Sequence, residues 1–262
     1  MVVNIEFRGG DVFLYHRETR GPGGLPLGSE GRVLALVSGG FDSPVAAWMV
    51  MKRGARADIV FFNLGGREHE LQARAVSEYL ACRWGYGVRM DLYVAEMRWI
   101  FPLLNMYFPK GFWTVVLKRA MYAAAEALAR RLGAKAIVTG ESLAQVASQT
   151  LHNLAATDEY VDIMVLRPLI GMDKQETMDL ARRIGTYPIS EKTEEFCAIA
   201  SPKPSTAVDR EKLNQLMEKH LPRETILENT LPHTRRIRLG EECSWEELLT
   251  QAVKQAQIEC RA

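Results

Sequence analysis

The sequence predicts an α/β fold with a largely parallel sheet, a short β-hairpin before it and a helical tail after it. Apolar runs of strand length alternate with helical segments of ten or more residues, which is the pattern of βαβ units. A glycine turn directly follows the first of these strands and leads into a helix. The first fifteen residues instead alternate polar and apolar side chains around Gly9-Gly10, which is typical of a hairpin.

Composition and charge narrow the class of protein. The chain has 262 residues, of which 47% are hydrophobic and 25% charged, as in ordinary globular proteins. A net charge of +1 leaves any contact with nucleic acid to local clusters. No apolar run approaches the ~18 residues that span a membrane, and charges within the first eight residues exclude a signal-peptide core. We therefore expect a cytoplasmic protein without membrane contact.

Three segments are predicted. Residues 1–28 form a hairpin and linker, residues 29–205 the main domain, and residues 206–262 a helical extension. An isolated hairpin is marginal in water, so we expect the first segment to pack on the main domain or to pair with another partner.

The elements of the main domain are assigned from apolar runs and helical spacing. Strands are predicted at 33–37, 58–63, 88–94, 134–139 and 163–167. Helices are predicted at 44–52, 68–84, 112–132 and 174–184, and in the tail at about 208–220 and 244–259, around a polar segment at 235–238 that we expect to be solvated. The carboxyl ends of parallel strands meet at one edge, so the loops at Ser38, Asn63, Gly140 and Pro168 should form one crevice.

The turn after the first strand is the strongest local signal. Val33–Val37 reads as a strand buried on both faces, and Ser38-Gly39-Gly40 then breaks the regular backbone. Ser43 is predicted to cap the following helix and Pro44 to occupy its first position. Exposed N–H groups at such a helix start bind anions. An ordinary βα turn is the alternative, but the whole run from Ser38 to Pro44 favours a phosphate site.

Four cysteines occur, at positions 82, 197, 243 and 260. Their wide spacing and the lack of any C-x-x-C pair argue against a zinc or iron–sulfur site and against a disulfide framework. From composition alone, each is expected to be a small buried side chain.

The run Ser38-Gly-Gly-Phe-Asp-Ser43 lacks the spacing and the lysine of a Walker A motif. It resembles the PP-loop of ATP pyrophosphatases, which cleave ATP to AMP and pyrophosphate. The resemblance implies that ATP binds with its pyrophosphate portion in this loop. It also implies a catalytic role for Asp42, beside the loop, in holding Mg²⁺, which prefers oxygen ligands. The alternative is that Asp42 only caps the helix.

Five further stretches are similar, in the same order, to the tRNA 4-thiouridine synthetases, also called tRNA uracil 4-sulfurtransferases. They are residues 61–66, 116–119, 139–150, 166–174 and 184–187. The similarity runs from about residue 3 to about residue 220. It implies a PP-loop domain of the Rossmann-like, adenine nucleotide alpha hydrolase type, and an ATP-dependent sulfurtransferase that modifies tRNA and also serves thiamine biosynthesis.

The resemblance assigns ATP contacts residue by residue. Phe61 and Phe62 would flank the adenine, Lys118 would neutralise phosphate charge, Gly140 would allow close approach and Gln149 would donate or accept a hydrogen bond. The full ATP-binding set is Leu36, Val37, Ser38, Gly39, Gly40, Asp42, Ser43, Phe61, Phe62, Lys118, Gly140 and Gln149. The alternatives are core packing for the apolar residues and a solvated charge for Lys118.

Cys197 in Glu194-Glu-Phe-Cys197 aligns with the cysteine that carries the persulfide in this family. It follows Pro188 and precedes Ser201-Pro-Lys-Pro204, so we expect it on a loop, from which sulfur can reach a base. Its reactivity requires a stabilised thiolate, with Lys192 and Lys203 as local helpers or as plain solvated charges. The alternative is a buried cysteine.

The implied function is adenylation of a tRNA uridine, uridine 8, followed by sulfur transfer from Cys197, with a cysteine desulfurase or a rhodanese as donor. Full-length members place a tRNA-binding THUMP domain before the catalytic domain, and some add a rhodanese domain after it. Neither a complete THUMP domain nor a rhodanese domain is expected here. We therefore expect tRNA to bind through a separate THUMP protein. Two alternatives stay open: thiolation or amidation of another acceptor, and a nucleotide-binding subunit without catalysis. Oligomeric state and the cysteine that resolves a disulfide with Cys197 also stay open.

Overall fold

A six-stranded sheet forms the centre of the computed structural model, which describes residues 2–18, 21–191, 204–241 and 243. The strands are β1 (Asn4–Arg8), β2 (Asp11–Tyr15), β3 (Arg32–Leu36), β4 (Arg56–Asn63), β5 (Met90–Glu96), β6 (Ala136–Val138), β7 (Met164–Leu166) and β8 (Arg235–Leu239). Their order in the large sheet is β7-β6-β3-β4-β5-β8, and β1 pairs with β2 separately. All pairings in the large sheet are parallel except that of β8 with β5. The predicted α/β fold is confirmed.

Helices cover both faces of this sheet. They are α1 (Asp42–Lys52), α2 (Arg67–Trp84), α3 (Ile100–Tyr107), α4 (Trp113–Leu132), α5 (Leu151–Asp158), α6 (Lys174–Ile184), α7 (Tyr187–Ser190), α8 (Arg210–His220) and α9 (Arg223–Thr230). Leu34 belongs to the core under α3, α4, α8 and α9, whereas its neighbours Val33 and Ala35 belong to the core under α1, α2 and α6. This alternation explains the continuous apolar run of β3, because both faces of the strand are buried. No helix in the described ranges has the length and apolarity needed to cross a membrane.

The C-terminal region is helical as predicted, but it also completes the sheet. The expected helix near 208–220 is α8, and the one expected at 244–259 lies outside the described residues. The polar segment expected at 235–238 is instead strand β8. Arg236 and Arg238 donate hydrogen bonds of 2.8 and 2.9 Å to Asp91 of β5. Arg235 and Arg236 are exposed to solvent, as predicted, but the buried carboxylate of Asp91 on the neighbouring strand also pairs with Arg236 and Arg238, which the sequence did not predict.

A disulfide joins Cys82 of α2 to Cys243, just beyond β8. The prediction that the widely spaced cysteines form no disulfide was therefore wrong. The two residues are 161 positions apart, yet the pairing of β8 with β5 brings the end of β8 beside α2. A hydrogen bond of 2.8 Å from the N–H of Gly240 to the Glu78 carboxylate supports the same contact.

The N-terminal hairpin has two unlike faces. Its side chains Val3, Ile5, Phe7, Val12 and Leu14 share one face and are 53–75% exposed. On the other face Arg8 donates a 2.7 Å hydrogen bond to Glu6 and lies over the ring of Phe13. Packing on the main domain, one of the two expectations for this segment, is thus not observed for its apolar face.

Arg119 of α4 holds three helices together and has no exposed surface. It donates a 2.7 Å hydrogen bond to the Ala156 carbonyl of α5 and a 2.6 Å hydrogen bond to Asn214 of α8. Burial lowers the pKa of its guanidinium, and nearby Glu159 partly offsets this effect. Removal of such a donor leaves buried acceptors without a partner, which is among the costlier single changes.

We expect Arg119→Met to lower the free energy of unfolding by about 2–4 kcal/mol, because it keeps the volume but removes every donor. Urea denaturation measures the change. Arg131→Met, at an exposed position of the same helix, is the control and should change stability by less than about 0.5 kcal/mol. Equal effects of the two changes would contradict a tethering role for Arg119.

Candidate functional site

The glycine loop lies between the end of β3 and the start of α1. Gly39 has a φ of +88°, and a Cβ atom there would lie 3.3 Å from the Ala73 backbone nitrogen. Both the left-handed backbone and the close contact therefore favour glycine at this position. The prediction that Ser43 caps the helix was wrong, since α1 begins at Asp42 without a side-chain cap. The Ser43 hydroxyl instead accepts a 3.0 Å hydrogen bond from the N–H of Ser38 and closes the loop on itself.

A cavity of about 240 Å³ opens at the carboxyl ends of β3, β4 and β6, as predicted for parallel sheets. It is lined by every expected nucleotide-binding residue except Gly39: Leu36, Val37, Ser38, Gly40, Asp42, Ser43, Phe61, Phe62, Lys118, Gly140 and Gln149. Phe61 and Phe62 border it from opposite faces of the sheet, because their side chains belong to different cores. The structure thus brings together residues from the strand ends, the glycine loop and α4.

Gly140 lies where the chain leaves β6, against the first turn of α1. A Cβ atom at this position would lie 2.6 Å from the backbone nitrogen of Ser43 and 2.7 Å from the carbonyl carbon of Asp42. The sequence predicts that this glycine lets a nucleotide approach, but the contact that demands it is with the glycine loop itself. Gly140 lets the chain after β6 pack against the start of α1, and it also lines the cavity.

A buried cluster of charges holds Lys118. Its ammonium pairs with the Glu141 carboxylate, which also accepts hydrogen bonds from Arg167 (2.7 Å), Tyr122 (2.6 Å) and Thr139 (3.1 Å). Burial raises the pKa of Glu141, but Lys118 and Arg167 outweigh burial and lower this pKa to about 2. The carboxylate is therefore ionised at neutral pH. Lys118 is fixed at the cavity wall rather than being a solvated helix charge.

His69 of α2 also contacts the loop, and no spacing in the sequence singles it out. Its Nε2 lies 3.0 Å from the carbonyl oxygen of Ser38, and its ring packs edge-on against Phe61 at 4.6 Å. Since a carbonyl only accepts, Nε2 carries the proton. Burial lowers the pKa of His69, and the bond to Ser38 partly offsets this, so the ring is neutral at pH 7. It braces the glycine loop without adding charge.

The segment from Ser142 to Gln149 forms one wall of the cavity. Ala144 has a φ of +62° and is the one non-glycine residue with positive φ in the described ranges. The segment is held there by hydrogen bonds from Ala144 N–H to the Gln149 carbonyl (2.9 Å) and from Leu143 N–H to the Ile170 carbonyl (3.0 Å). Gln145 follows, and its Nε2 donates a 3.1 Å hydrogen bond to Asp42. The stretch 139–150 carries the family resemblance, but nothing in the sequence assigned roles to Glu141 or Gln145.

We expect Ala144→Gly to raise the free energy of unfolding by about 0.5–1 kcal/mol, because left-handed backbone is costly for an L-residue but not for glycine. Ala147→Gly is the matched control on the same segment, where φ is not positive, and it should lower stability by a similar amount. Chemical denaturation measures both. If Ala144→Gly lowers the free energy of unfolding as Ala147→Gly does, the backbone at Ala144 is not strained.

Several predicted residues lie outside the described ranges: Lys192, Cys197 and Lys203. The chain on both sides of them is hydrogen-bonded to residues in the cavity lining or next to it. Before them, the Ser190 hydroxyl donates to the Gly40 carbonyl at 3.2 Å. After them, the Thr206 carbonyl accepts from the hydroxyl of Thr150, next to Gln149, at 2.7 Å. Seven residues of chain from Ser190 bound the distance to the Cα of Cys197 at about 25 Å.

Comparisons with known proteins agree with this geometry. The model of the family described as "Thiamine biosynthesis protein (ThiI)" matches residues 28–221. A tRNA sulfurtransferase of Pyrobaculum aerophilum is 46% identical over 212 residues, covering 81% of this chain and 44% of that protein. A probable tRNA sulfurtransferase of Saccharolobus solfataricus is 42% identical over 231 residues, covering 86% of this chain and 60% of that protein.

A solved structure is similar over most of the chain. A crystal structure of a 4-thiouridine synthetase–RNA complex with bound ATP superposes with a TM-score of 0.84 at 30% identity. The match covers 90% of this chain and 62% of that one. Among the first curated relatives, the matched region covers 44% and 45% of two of them, so this chain spans less than half of their length. Because the family model covers residues 28–221, including the glycine loop and the whole described cavity, the chain belongs to the ThiI family.

Proposed function

We propose that this protein uses ATP to activate a tRNA uridine, uridine 8, and replaces its 4-oxygen with sulfur carried by Cys197, releasing AMP and pyrophosphate. The observation that carries the proposal is the cavity. A glycine loop suited to phosphate forms one end. The chain before Cys197 is hydrogen-bonded to that loop at Gly40, and the chain after it is hydrogen-bonded to Thr150, next to the lining residue Gln149. The names of the relatives, and the RNA and ATP in the solved structure, support the same reaction.

ATP fits this cavity by chemistry as well as by position. The glycine loop and the start of α1 offer N–H groups to the pyrophosphate portion. Lys118, fixed by Glu141, adds positive charge at the wall. The apolar strand ends at Leu36 and Phe61 suit a purine, and Gln149 supplies an amide whose Oε1 has no hydrogen-bond partner among the described residues.

Mg²⁺ is proposed beside the loop, with Asp42 as the residue that would hold it. The donor set fits, because Asp42 places a carboxylate at the cavity wall and the unpartnered amide oxygen of Gln145 beside it could accept a hydrogen bond from a water on the cation. The cation would neutralise charge on the pyrophosphate as it leaves.

The chemistry balances in three steps. Uridine O4 attacks the α-phosphorus of ATP and displaces pyrophosphate. The terminal sulfur of a Cys197 persulfide attacks C4 and displaces AMP, which leaves the base joined to Cys197 through a disulfide. A thiol then attacks the Cys197 sulfur and forms a disulfide with it. The electron pair of the attacking thiol makes the new bond, and 4-thiouridine leaves with the electrons of the broken bond. Because Cys82 and Cys243 are bonded to each other, we assign that thiol to Cys260 or to an external thiol compound.

The partners follow from this reaction. A cysteine desulfurase or a rhodanese is proposed to load Cys197 with sulfur. tRNA recognition is proposed to use a THUMP domain on a separate protein. The arginines at 235, 236 and 238 form ion pairs with Glu70 and Asp91. A basic run of this kind would otherwise suit RNA, so its pairing within the chain supports recognition of tRNA by another domain.

Reconstitution tests the proposal. The purified chain, Mg-ATP, a cysteine desulfurase with cysteine and an unmodified tRNA transcript are incubated with and without a THUMP protein, and nucleosides are analysed by mass spectrometry. We expect 4-thiouridine together with AMP and pyrophosphate, and none with a transcript in which uridine 8 is replaced by cytidine. Thiolation of the replaced transcript, or none with any tRNA, would contradict the proposal.

A second candidate keeps the ATP chemistry and changes the acceptor to a small molecule, a carrier-protein carboxylate or ammonia. The pairing of Arg236 and Arg238 with Asp91 favours it, because part of the charge of this basic run is already neutralised within the chain. Titration of labelled tRNA separates the candidates. With a THUMP protein present, a complex that contains this chain and weakens steeply with salt supports RNA as the acceptor, and no recruitment of this chain to tRNA at low salt supports the alternative.

A further inference from the structure

Gln145 stands out among the residues of the cavity wall, because it connects two segments 103 positions apart. Its Nε2 donates a 3.1 Å hydrogen bond to Oδ2 of Asp42, the first residue of α1. The orientation of the amide follows from chemistry, since an ionised carboxylate only accepts hydrogen bonds. The amide oxygen must therefore point away from Asp42.

The second observation concerns the amide oxygen of Gln145. Within the described part of the chain, Oε1 of Gln145 is buried and has no hydrogen-bond partner. A buried polar atom left in this state lowers stability, because it has lost its hydrogen bond to water without a replacement. Such atoms occur in native proteins where a function requires them. Gln145 lines the cavity that the glycine loop and Asp42 also line.

The backbone around Gln145 shows that its position is imposed by the fold. Ala144, directly before it, has the disfavoured φ of +62°. Contacts on both sides hold this conformation: the Ser142 hydroxyl donates to the Met172 carbonyl at 2.6 Å, and Ala144 N–H donates to the Gln149 carbonyl at 2.9 Å. Backbone strain of this kind persists where the surroundings fix it, and it clusters at functional sites.

We propose that Gln145 is a positioning residue for the divalent cation at the pyrophosphate end of ATP. Its N–H group holds the Asp42 carboxylate in the orientation that faces the cavity, and its Oε1 accepts a hydrogen bond from a water molecule on the cation. Water bound to a divalent cation is a strong donor, whereas the phosphates of ATP only accept. Mg²⁺ keeps several waters when it binds through one carboxylate and substrate phosphates, so such a donor is available. The inference rests on the proposed function for the identity of the nucleotide.

The test measures binding rather than turnover. Mn²⁺ replaces Mg²⁺, and free Mn²⁺ is followed by electron paramagnetic resonance in the presence of the α,β-methylene analogue of ATP, which is not cleaved between these phosphates. Affinity for the analogue without metal is measured separately by calorimetry. Gln145→Met removes both hydrogen-bonding groups and keeps an unbranched side chain of similar size. Leu143→Ala, an exposed position on the same segment, is the matched control.

We expect Gln145→Met to weaken Mn²⁺ binding about tenfold, which corresponds to about 1.4 kcal/mol. The affinity for the metal-free analogue should change less than twofold, and Leu143→Ala should match the unmodified protein in both. Unchanged Mn²⁺ affinity in Gln145→Met, with circular dichroism confirming its fold, would overturn the inference. Equal loss of metal-free and metal-dependent binding would also overturn it, because this would indicate general damage to the cavity.

The outcome is separable from that of the proposed function. If the unmodified protein binds the Mn²⁺–analogue complex and Gln145→Met does not, the role of Gln145 stands even where no tRNA is thiolated. If tRNA is thiolated and both proteins bind Mn²⁺ equally, the reaction stands and the role of Gln145 fails.

Discussion

Cys197→Ser is expected to abolish sulfur transfer to tRNA while tRNA-dependent release of pyrophosphate from ATP continues and AMP stays on the adenylated uridine. A serine hydroxyl cannot carry a persulfide, so the second step of the proposed reaction loses its nucleophile. Adenylation of the uridine precedes that step and depends on the cavity, whose described residues do not include position 197. Mass spectrometry of the nucleosides, together with a pyrophosphate assay, measures the two steps separately.

The matched control is Cys260→Ser with an excess of an external thiol compound. If an external thiol can perform the last step, this variant should form 4-thiouridine at the normal rate. A rate that falls without added thiol in this variant, but not in the unmodified protein, would assign Cys260 to the resolving step. Unaltered thiolation by Cys197→Ser would remove Cys197 from the mechanism. The anchoring of Ser190 to Gly40 and of Thr206 to Thr150 on either side of the cysteine would then need another explanation.

The double replacement Cys82→Ser and Cys243→Ser is expected to give the largest loss of stability. A disulfide between residues 161 positions apart removes much chain entropy from the unfolded state, and the chain-entropy model gives about 5 kcal/mol for a loop of this length. Engineered and native bridges often contribute less, so we expect a loss of about 2–5 kcal/mol. Guanidinium denaturation under non-reducing conditions measures it.

The reduced unmodified protein is the internal comparison and should show the same loss as the double variant. Cys260→Ser should leave the denaturation midpoint unchanged. Hydrogen exchange reports where the effect lies: we expect faster exchange of the β8 amides, because this edge strand is held on one side by β5 and at its end by the bridge. Equal midpoints with and without reductant would contradict a stabilising disulfide.

The parallel sheet and the glycine loop could be predicted because their signals are local. The apolar run of β3, the turn at Gly39 and the helical spacing of α4 each follow from neighbours in the chain. The convergence of Ser38 and Gly140 on one crevice follows from a general property of parallel strands rather than from any measured contact.

Other features could not be predicted, because they depend on residues far apart in sequence. Ser43 resembles a helix cap in sequence, but its hydroxyl closes the glycine loop by binding Ser38. Gly140 lines the cavity as predicted, but the contact that excludes a side chain there, with the backbone of Ser43, could not be predicted. Gln145 has no distinctive neighbours, and only the fold brings it to Asp42.

The sequence by itself determined the α/β class and the buried strand with its glycine loop, which depend on backbone preferences and on burial that act over a few residues. The family resemblance added most of the residues that line the cavity, but not His69, Glu141 or Gln145. Only the tertiary structure decided that the arginines of β8 neutralise Asp91, that Cys82 bonds to Cys243 and that Glu141 fixes Lys118. Ion pairs and disulfides join residues that are distant in sequence. Their formation depends on which strands and helices become neighbours once the sheet has formed.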